Sequence, residues 1–144
     1  MLHKLNSFAV PRDDLLEIYI LYIRSVLENS AVVWHSSLTL GQELELERVQ
    51  KVALKIILKG EYESYNDALL KCNLSTLSER RTHMCLTFAK KCVKTDLTKS
   101  MFPRNPNQHY NLRKPEKFLV THAKSDRLKN SAIPFMQKLL NSSL

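Results

Sequence analysis

Carboxylates, thiols, imidazoles and a surplus of lysine and arginine are the groups in this 144-residue chain that could do chemistry. Asp13-Asp14 is the one adjacent carboxylate pair. Clustered carboxylates can hold the two magnesium ions of nucleotidyl transfer. This pair, however, follows Pro11-Arg12 at what looks like a helix entrance, where a carboxylate is suited to capping the free amides. Cys72, Cys85 and Cys92 lack the close pairing of structural zinc sites, and Cys85 and Cys92 stand two turns apart on an apolar stripe, as small core residues would. His35, His83, His109 and His122 have no Ser, Cys or Asp partner at a recognisable spacing. The residues therefore predict no catalytic site, no metal and no cofactor.

The cations are the more informative set. Formal net charge is +8, and it is polarised: residues 1–76 hold eight Lys/Arg against ten Asp/Glu, residues 77–144 fourteen against four. A basic half of this kind suits a polyanionic partner, because each phosphate neutralised by a cation releases condensed counterions. RNA and DNA fit, as does an anionic membrane surface. At 100° per residue, Arg80, Lys90, Lys91 and Lys94 project from one side of a helix. Arg104, Arg113, Lys114, Lys117, Lys124, Arg127 and Lys129 follow, interspersed with His109, Tyr110 and Phe118. Cations that track phosphates beside aromatics that stack on unpaired bases suit single strands. The rival reading is a solvated linker whose aromatics anchor it to the bundle. A further stripe, Arg48, Lys51, Lys55 and Lys59, is explained by solvation and by favourable placement towards a helix C-terminus.

Helices must position these groups, since only two glycines and few β-branched runs are available for hairpins. The first should run from Asp13 or Asp14 to Asn29 with Leu15, Ile18, Tyr19, Tyr22, Ile23, Val26 and Leu27 inward, and Trp34 should be the main packing anchor beyond it. Thr39 and Gln42 form a capping box for a second helix, reaching Lys59 and stopping at Gly60, with Leu46, Val49, Val52, Ala53, Ile56 and Ile57 buried. Ser64 opens a short third helix that Asn73 closes in a left-handed conformation, and Thr76 with Glu79 opens a fourth from Leu77 to about Lys94. Its inward residues should be Leu77, Met84, Cys85, Phe88, Ala89 and Cys92. Arg81 points into that stripe, so a buried guanidinium is expected, paired with Glu47 or Asp67. Prolines and asparagines then break helical structure, and a last helix should begin near Pro134 and dock on the bundle.

The expected fold is all-α: a small bundle of four to five helices over residues 1–99, an extended basic arm over 100–124 and a C-terminal helical segment over 125–144. No apolar run reaches the roughly 20 residues of a membrane-spanning helix. The odd cysteine count and absence of a secretory leader predict a soluble, intracellular protein, nuclear or cytoplasmic.

Ordered segments along the chain carry a resemblance. Tyr22-Ile23-Arg24-Ser25-Val26-Leu27-Glu28, Ala31-Val32-Val33-Trp34-His35, Leu46-Glu47-Arg48-Val49-Gln50-Lys51, Tyr65-Asn66-Asp67-Ala68-Leu69, Leu77-Ser78-Glu79-Arg80-Arg81, Phe88-Ala89-Lys90-Lys91-Cys92 and Ser131-Ala132-Ile133-Pro134-Phe135 resemble the region after the polymerase core of non-LTR, LINE-type retrotransposon reverse transcriptases. The chain departs from the family at Asn29, where an aromatic is common, and in having no Cys/His zinc knuckle. The resemblance implies a parent RNA-directed DNA polymerase, of which this would be a fragment within or after the thumb, gripping template, primer or target. The polymerase aspartate motif is absent, so no enzyme activity is expected of the chain alone. A stand-alone helical protein-interaction module, a peripheral membrane module and an inactive retroelement remnant are the alternatives.

Overall fold

The computed structural model describes residues 1–106 and 117–143. Among these the fold is all-α, the one β-type pairing being an isolated antiparallel bridge between Arg104 and Phe118. Two units are distinguishable: Met1–Asn29 with Leu38–Arg80, and Ser30–Ser37 with Arg81–Leu144.

In the first unit a short helix, α1 (Leu2–Ser7), precedes a continuous helical run of α2 (Arg12–Ile18), a π-helical segment (Tyr19–Arg24) and α3 (Ser25–Glu28). Its N-cap is Pro11 and makes no side-chain cap, so Asp13 and Asp14 do not cap it as expected. They stand in the first turn, where carboxylates complement the amide end of the helix. The π turns also correct the expected inward face. Leu15 and Tyr19 are buried, but Tyr22 and Val26 are exposed and Glu28 is buried in their stead, because the wider turns retard the helix phase.

The capping box at Thr39 forms in full and opens α5 (Leu40–Leu58). Its buried face is displaced by one residue from the expected stripe: Glu47, Gln50, Ala53, Leu54, Ile57 and Leu58 are buried, while Val49 and Val52 are largely exposed. A polar network draws α5 into that rotation. The Gln50 side-chain oxygen accepts from the Tyr19 hydroxyl at 2.7 Å, and its amide donates to the Tyr65 hydroxyl at 2.8 Å and to the Ser75 carbonyl at 3.0 Å. Glu47 accepts from the Tyr65 hydroxyl and from the Leu77 amide. Hydrogen bonding to these buried polar groups outweighs the loss of two half-exposed valines. The helix stops at Lys59, which takes a positive φ of 50°, one residue before the glycine expected there. Ser64 caps α6 (Tyr65–Lys71), and Asn73 adopts the left-handed conformation with φ 50°. Leu2, Leu15, Tyr19, Ala53 and Ile57 form one apolar cluster of this unit, and Leu54, Leu58, Ala68, Leu69 and Cys72 another.

Thr76 and Glu79 exchange side-chain to backbone hydrogen bonds, both at 3.2 Å, and so start α7 (Leu77–Lys94). The helix runs from the first unit into the second. There Cys85, Ala89 and Cys92 pack with Phe102, Phe118, Met136 and Leu140 in one core. Phe88, expected inward, is 44% exposed. The small residues Cys85, Ala89 and Cys92 at i, i+4 and i+7 define the buried line and leave the phenyl ring beside it. Short helices α4 (Ala31–Trp34), α8 (Asp96–Lys99) and α9 (Asp126–Lys129) complete the second unit with α10 (Ala132–Ser142), which starts two residues before Pro134. Through Met136 and Leu140, α10 packs into the core of its unit. Among the described residues no helix is long and apolar enough to cross a membrane.

Candidate nucleic-acid interface

The cations of the two units are arranged differently. In the first unit several are engaged locally: Arg12 with Glu61 at 3.1 Å, Arg48 with Glu45 at 3.7 Å, and Lys71 with Asp67 at 2.8 Å and Glu63 at 3.6 Å. Lys51 and Lys55 lie over the rings of Tyr65 and Tyr62, 5.0 and 5.3 Å from the centroids, a cation–π geometry. Arg48, Lys51 and Lys55 of that stripe thus serve their own unit.

Arg80 belongs with this set and not with the lysines further along α7. Its Nε and one terminal amine donate to both oxygens of Glu28, at 2.6 and 3.1 Å, a two-pronged pair that the planar guanidinium favours. The hydrogen bonds it donates to Glu28 raise the Arg80 pKa above its ordinary value, against the opposing effect of partial burial. Helix geometry alone puts Arg80 on the side of Lys90, Lys91 and Lys94; the buried carboxylate of Glu28 takes it out of service for an external phosphate.

The second unit, apart from the buried Arg81, presents its described cations to solvent. Lys90, Lys91, Lys94, Arg104, Lys124, Arg127 and Lys129 are all exposed, and among the described residues none of them forms an ion pair. Lys117 is exposed as well. Lys94 and Arg104 converge with Lys99 on a cleft of about 720 Å³, also lined by Val93, Asp96, Ser100, Phe102, Pro103 and Phe118. Local hydrogen bonds bend the chain to make this cleft. The Thr98 hydroxyl donates to the Cys92 carbonyl at 2.8 Å, the Lys99 amide to the Thr95 carbonyl at 2.9 Å, and the Phe102 amide to the Lys99 carbonyl at 3.0 Å.

Beyond the bend, the Asn105 amide donates to the Lys117 carbonyl at 3.0 Å and the Leu119 amide to the Pro103 carbonyl at 2.9 Å. The Asn141 side chain of α10 grips this pairing from the other side, accepting from the Phe118 amide and donating to the Phe118 carbonyl, both at 2.9 Å. Gln137 does similar work one turn earlier, accepting from the Thr121 amide at 2.7 Å and donating to the Met101 carbonyl at 2.8 Å.

This architecture corrects the expectation for Phe118. The ring is 7% exposed and packs in the unit core, so it anchors the chain and has no free face for a base. His109, Tyr110, Arg113 and Lys114 lie outside the described residues. Trp34 is half-buried on α4, with the Arg81 guanidinium 5.8 Å from its ring centroid. Arg81 is fully buried, as its position in the stripe demands, and its Nε donates to His35 Nδ1 at 3.4 Å. Of the carboxylates expected beside it, Glu47 receives Tyr65 and Leu77, and Asp67 receives Lys71.

Cys72, Cys85 and Cys92 are buried free thiols, and burial pushes the Cys85 thiol pKa up. Among the described residues no group of three His, Cys, Asp or Glu could hold a metal ion. Lys99 is the cleft residue that sequence reasoning passed over. It stands where helical periodicity ends, so the pattern assigns it no face, and only the bend from Thr95 to Phe102 brings it towards Arg104. No family model matches the chain, and searches of curated proteins and of solved structures likewise return no match.

Proposed function

We propose that this chain is a nucleic-acid-binding module that grips RNA or DNA mainly through phosphates, using the second unit. One observation carries the reading: six cations of the first unit, Arg12, Arg48, Lys51, Lys55, Lys71 and Arg80, are held by carboxylates and aromatic rings of their own unit, whereas Lys90, Lys91, Lys94, Arg104, Lys124, Arg127 and Lys129 stand exposed and without ion pairs among the described residues. Each is therefore available to a phosphate at little cost in broken contacts. We further propose, on the resemblance of its ordered segments, that the parent protein is a LINE-type reverse transcriptase and that this region follows the polymerase core, holding template, primer or target without supplying the metal-binding aspartates.

Filter binding of a labelled RNA or DNA strand across a salt series tests the reading. Binding should weaken linearly on a log–log plot, with a slope of about 0.7 per phosphate contact for a single strand. A salt-independent affinity, or binding only to an acidic protein surface, would remove the basis for it.

A further inference from the structure

The cleft at the end of α7 is concave and partly walled by apolar groups. Building on the nucleic-acid reading above, we infer that it accepts a short single-stranded segment, with phosphates at Lys94, Lys99 and Arg104 and an unpaired base or its sugar against the wall of Pro103 and Val93. Three features lead there. The volume, about 720 Å³, is that of a pocket for an organic ligand and far exceeds what one inorganic ion needs. The lining carries three cations and one carboxylate, Asp96, which leaves a surplus of two positive charges, enough for two successive phosphodiesters. The wall between those charges is apolar, and unpaired bases have exposed faces to place on it, whereas a duplex stacks its bases inside and offers such a wall only sugar edges and phosphates. Asp96, an acceptor without a proton to give, can take a hydrogen bond from a base amino group or a ribose hydroxyl. Arg104 completes the set, since a planar guanidinium can grip a phosphate with two N–H groups or lie flat on a base.

Fluorescence anisotropy on the full chain tests the inference, with a labelled 12-nucleotide single strand and a blunt duplex of the same sequence as probes. The double variant Lys94→Glu with Lys99→Glu is compared with Lys4→Glu with Arg48→Glu, which changes net charge equally but on exposed sites of the first unit. The wild-type chain should favour the single strand. The cleft variant should lose that preference and lower the salt slope for the single strand by about 1.4, two contacts at about 0.7 each, while the control variant keeps both. The milder pair Lys94→Gln with Lys99→Gln should move the same quantities in the same direction, and circular dichroism shows whether each variant is folded. Equal single-strand affinity in cleft and control variants would overturn the inference and leave the nucleic-acid reading standing, as would a wild-type preference for the duplex. A wild-type chain that binds neither probe would overturn both.

Discussion

Replacing Gln50 by alanine should destabilise the first unit more than any comparable change on its surface. Gln50 is 0% exposed, and its side chain satisfies three groups at once: the Tyr19 hydroxyl, the Tyr65 hydroxyl and the Ser75 carbonyl. Tyr65 would still reach Glu47 in the variant and Ser75 belongs to an exposed stretch, so the group stranded inside is the Tyr19 hydroxyl. At about 1–3 kcal/mol for a stranded group, the loss is about 2 kcal/mol, a sizeable part of the 5–15 kcal/mol typical of a whole domain. Urea denaturation followed by circular dichroism measures it. With a slope of about 2 kcal/mol per molar urea, the midpoint should fall by about 1 M. Gln50→Met separates the polar loss from the volume loss, because methionine fills similar space without hydrogen-bonding, and most of the destabilisation should persist in it. A midpoint fall below about 0.5 M at unchanged slope in both variants would refute the claim that this network sets the rotation of α5.

Two more predictions concern the same unit. A double-mutant cycle on Arg80→Ala and Glu28→Gln should return a coupling of about 1–3 kcal/mol, since both oxygens of a buried carboxylate are engaged; additive single-variant losses would contradict the pairing. Stability should also fall under alkaline conditions. Burial, foremost, raises the pKa of both Tyr19 and Tyr65 above the ordinary 10, and the hydrogen bond to Glu47 adds to the rise at Tyr65. The folded state therefore keeps phenolic protons that the unfolded chain releases near pH 10, so this stabilisation is complete below that pH and is lost as pH rises above it. Melting temperatures should be level up to about pH 9 and drop beyond it, and Tyr65→Phe should shallow the drop; an equal drop in that variant would argue against the tyrosines as its source.

Helix starts were legible because their chemistry is local. Thr39 with Gln42, Ser64 with Asp67 and Thr76 with Glu79 each form the contacts that their spacing predicts. Arg81 was legible too, since its angle on α7 left it nowhere but the interior. Buried faces were harder wherever polar groups go inside. Apolar periodicity on α5 selects Val49 and Val52, but it cannot register that Glu47 and Gln50 find partners on Tyr19, Tyr65 and Leu77, residues distant in sequence. The cationic half could be read from composition, while its division into held and available charges could not. Arg80 and Lys90 look alike along the helix until Glu28, 52 residues from Arg80, captures the guanidinium. The anchoring of Phe118 is similarly non-local, because its two backbone partners come from Asn141, on a helix 23 residues later.

The π-helical stretch from Tyr19 to Arg24 has a consequence for what the chain can lose. Tyr19 and Glu28 are nine residues apart, and nine residues of ordinary α-helix make about two and a half turns, which would set the two side chains on opposite sides of the rod. Both are nevertheless inside the protein, because the slack winding between them works as a rotary offset that returns Glu28 to the side from which Tyr19 reaches Gln50. A shortened version lacking a single residue of that stretch could wind as ordinary α-helix and still keep Glu28 inside, since eight residues at about 100° each leave it about 80° round from Tyr19. The same residues drawn into ordinary α winding with none removed would swing Glu28 towards water and release Arg80 as one more mobile positive charge. The winding of this one stretch thus governs whether an arginine belongs to the fold or to whatever the protein meets.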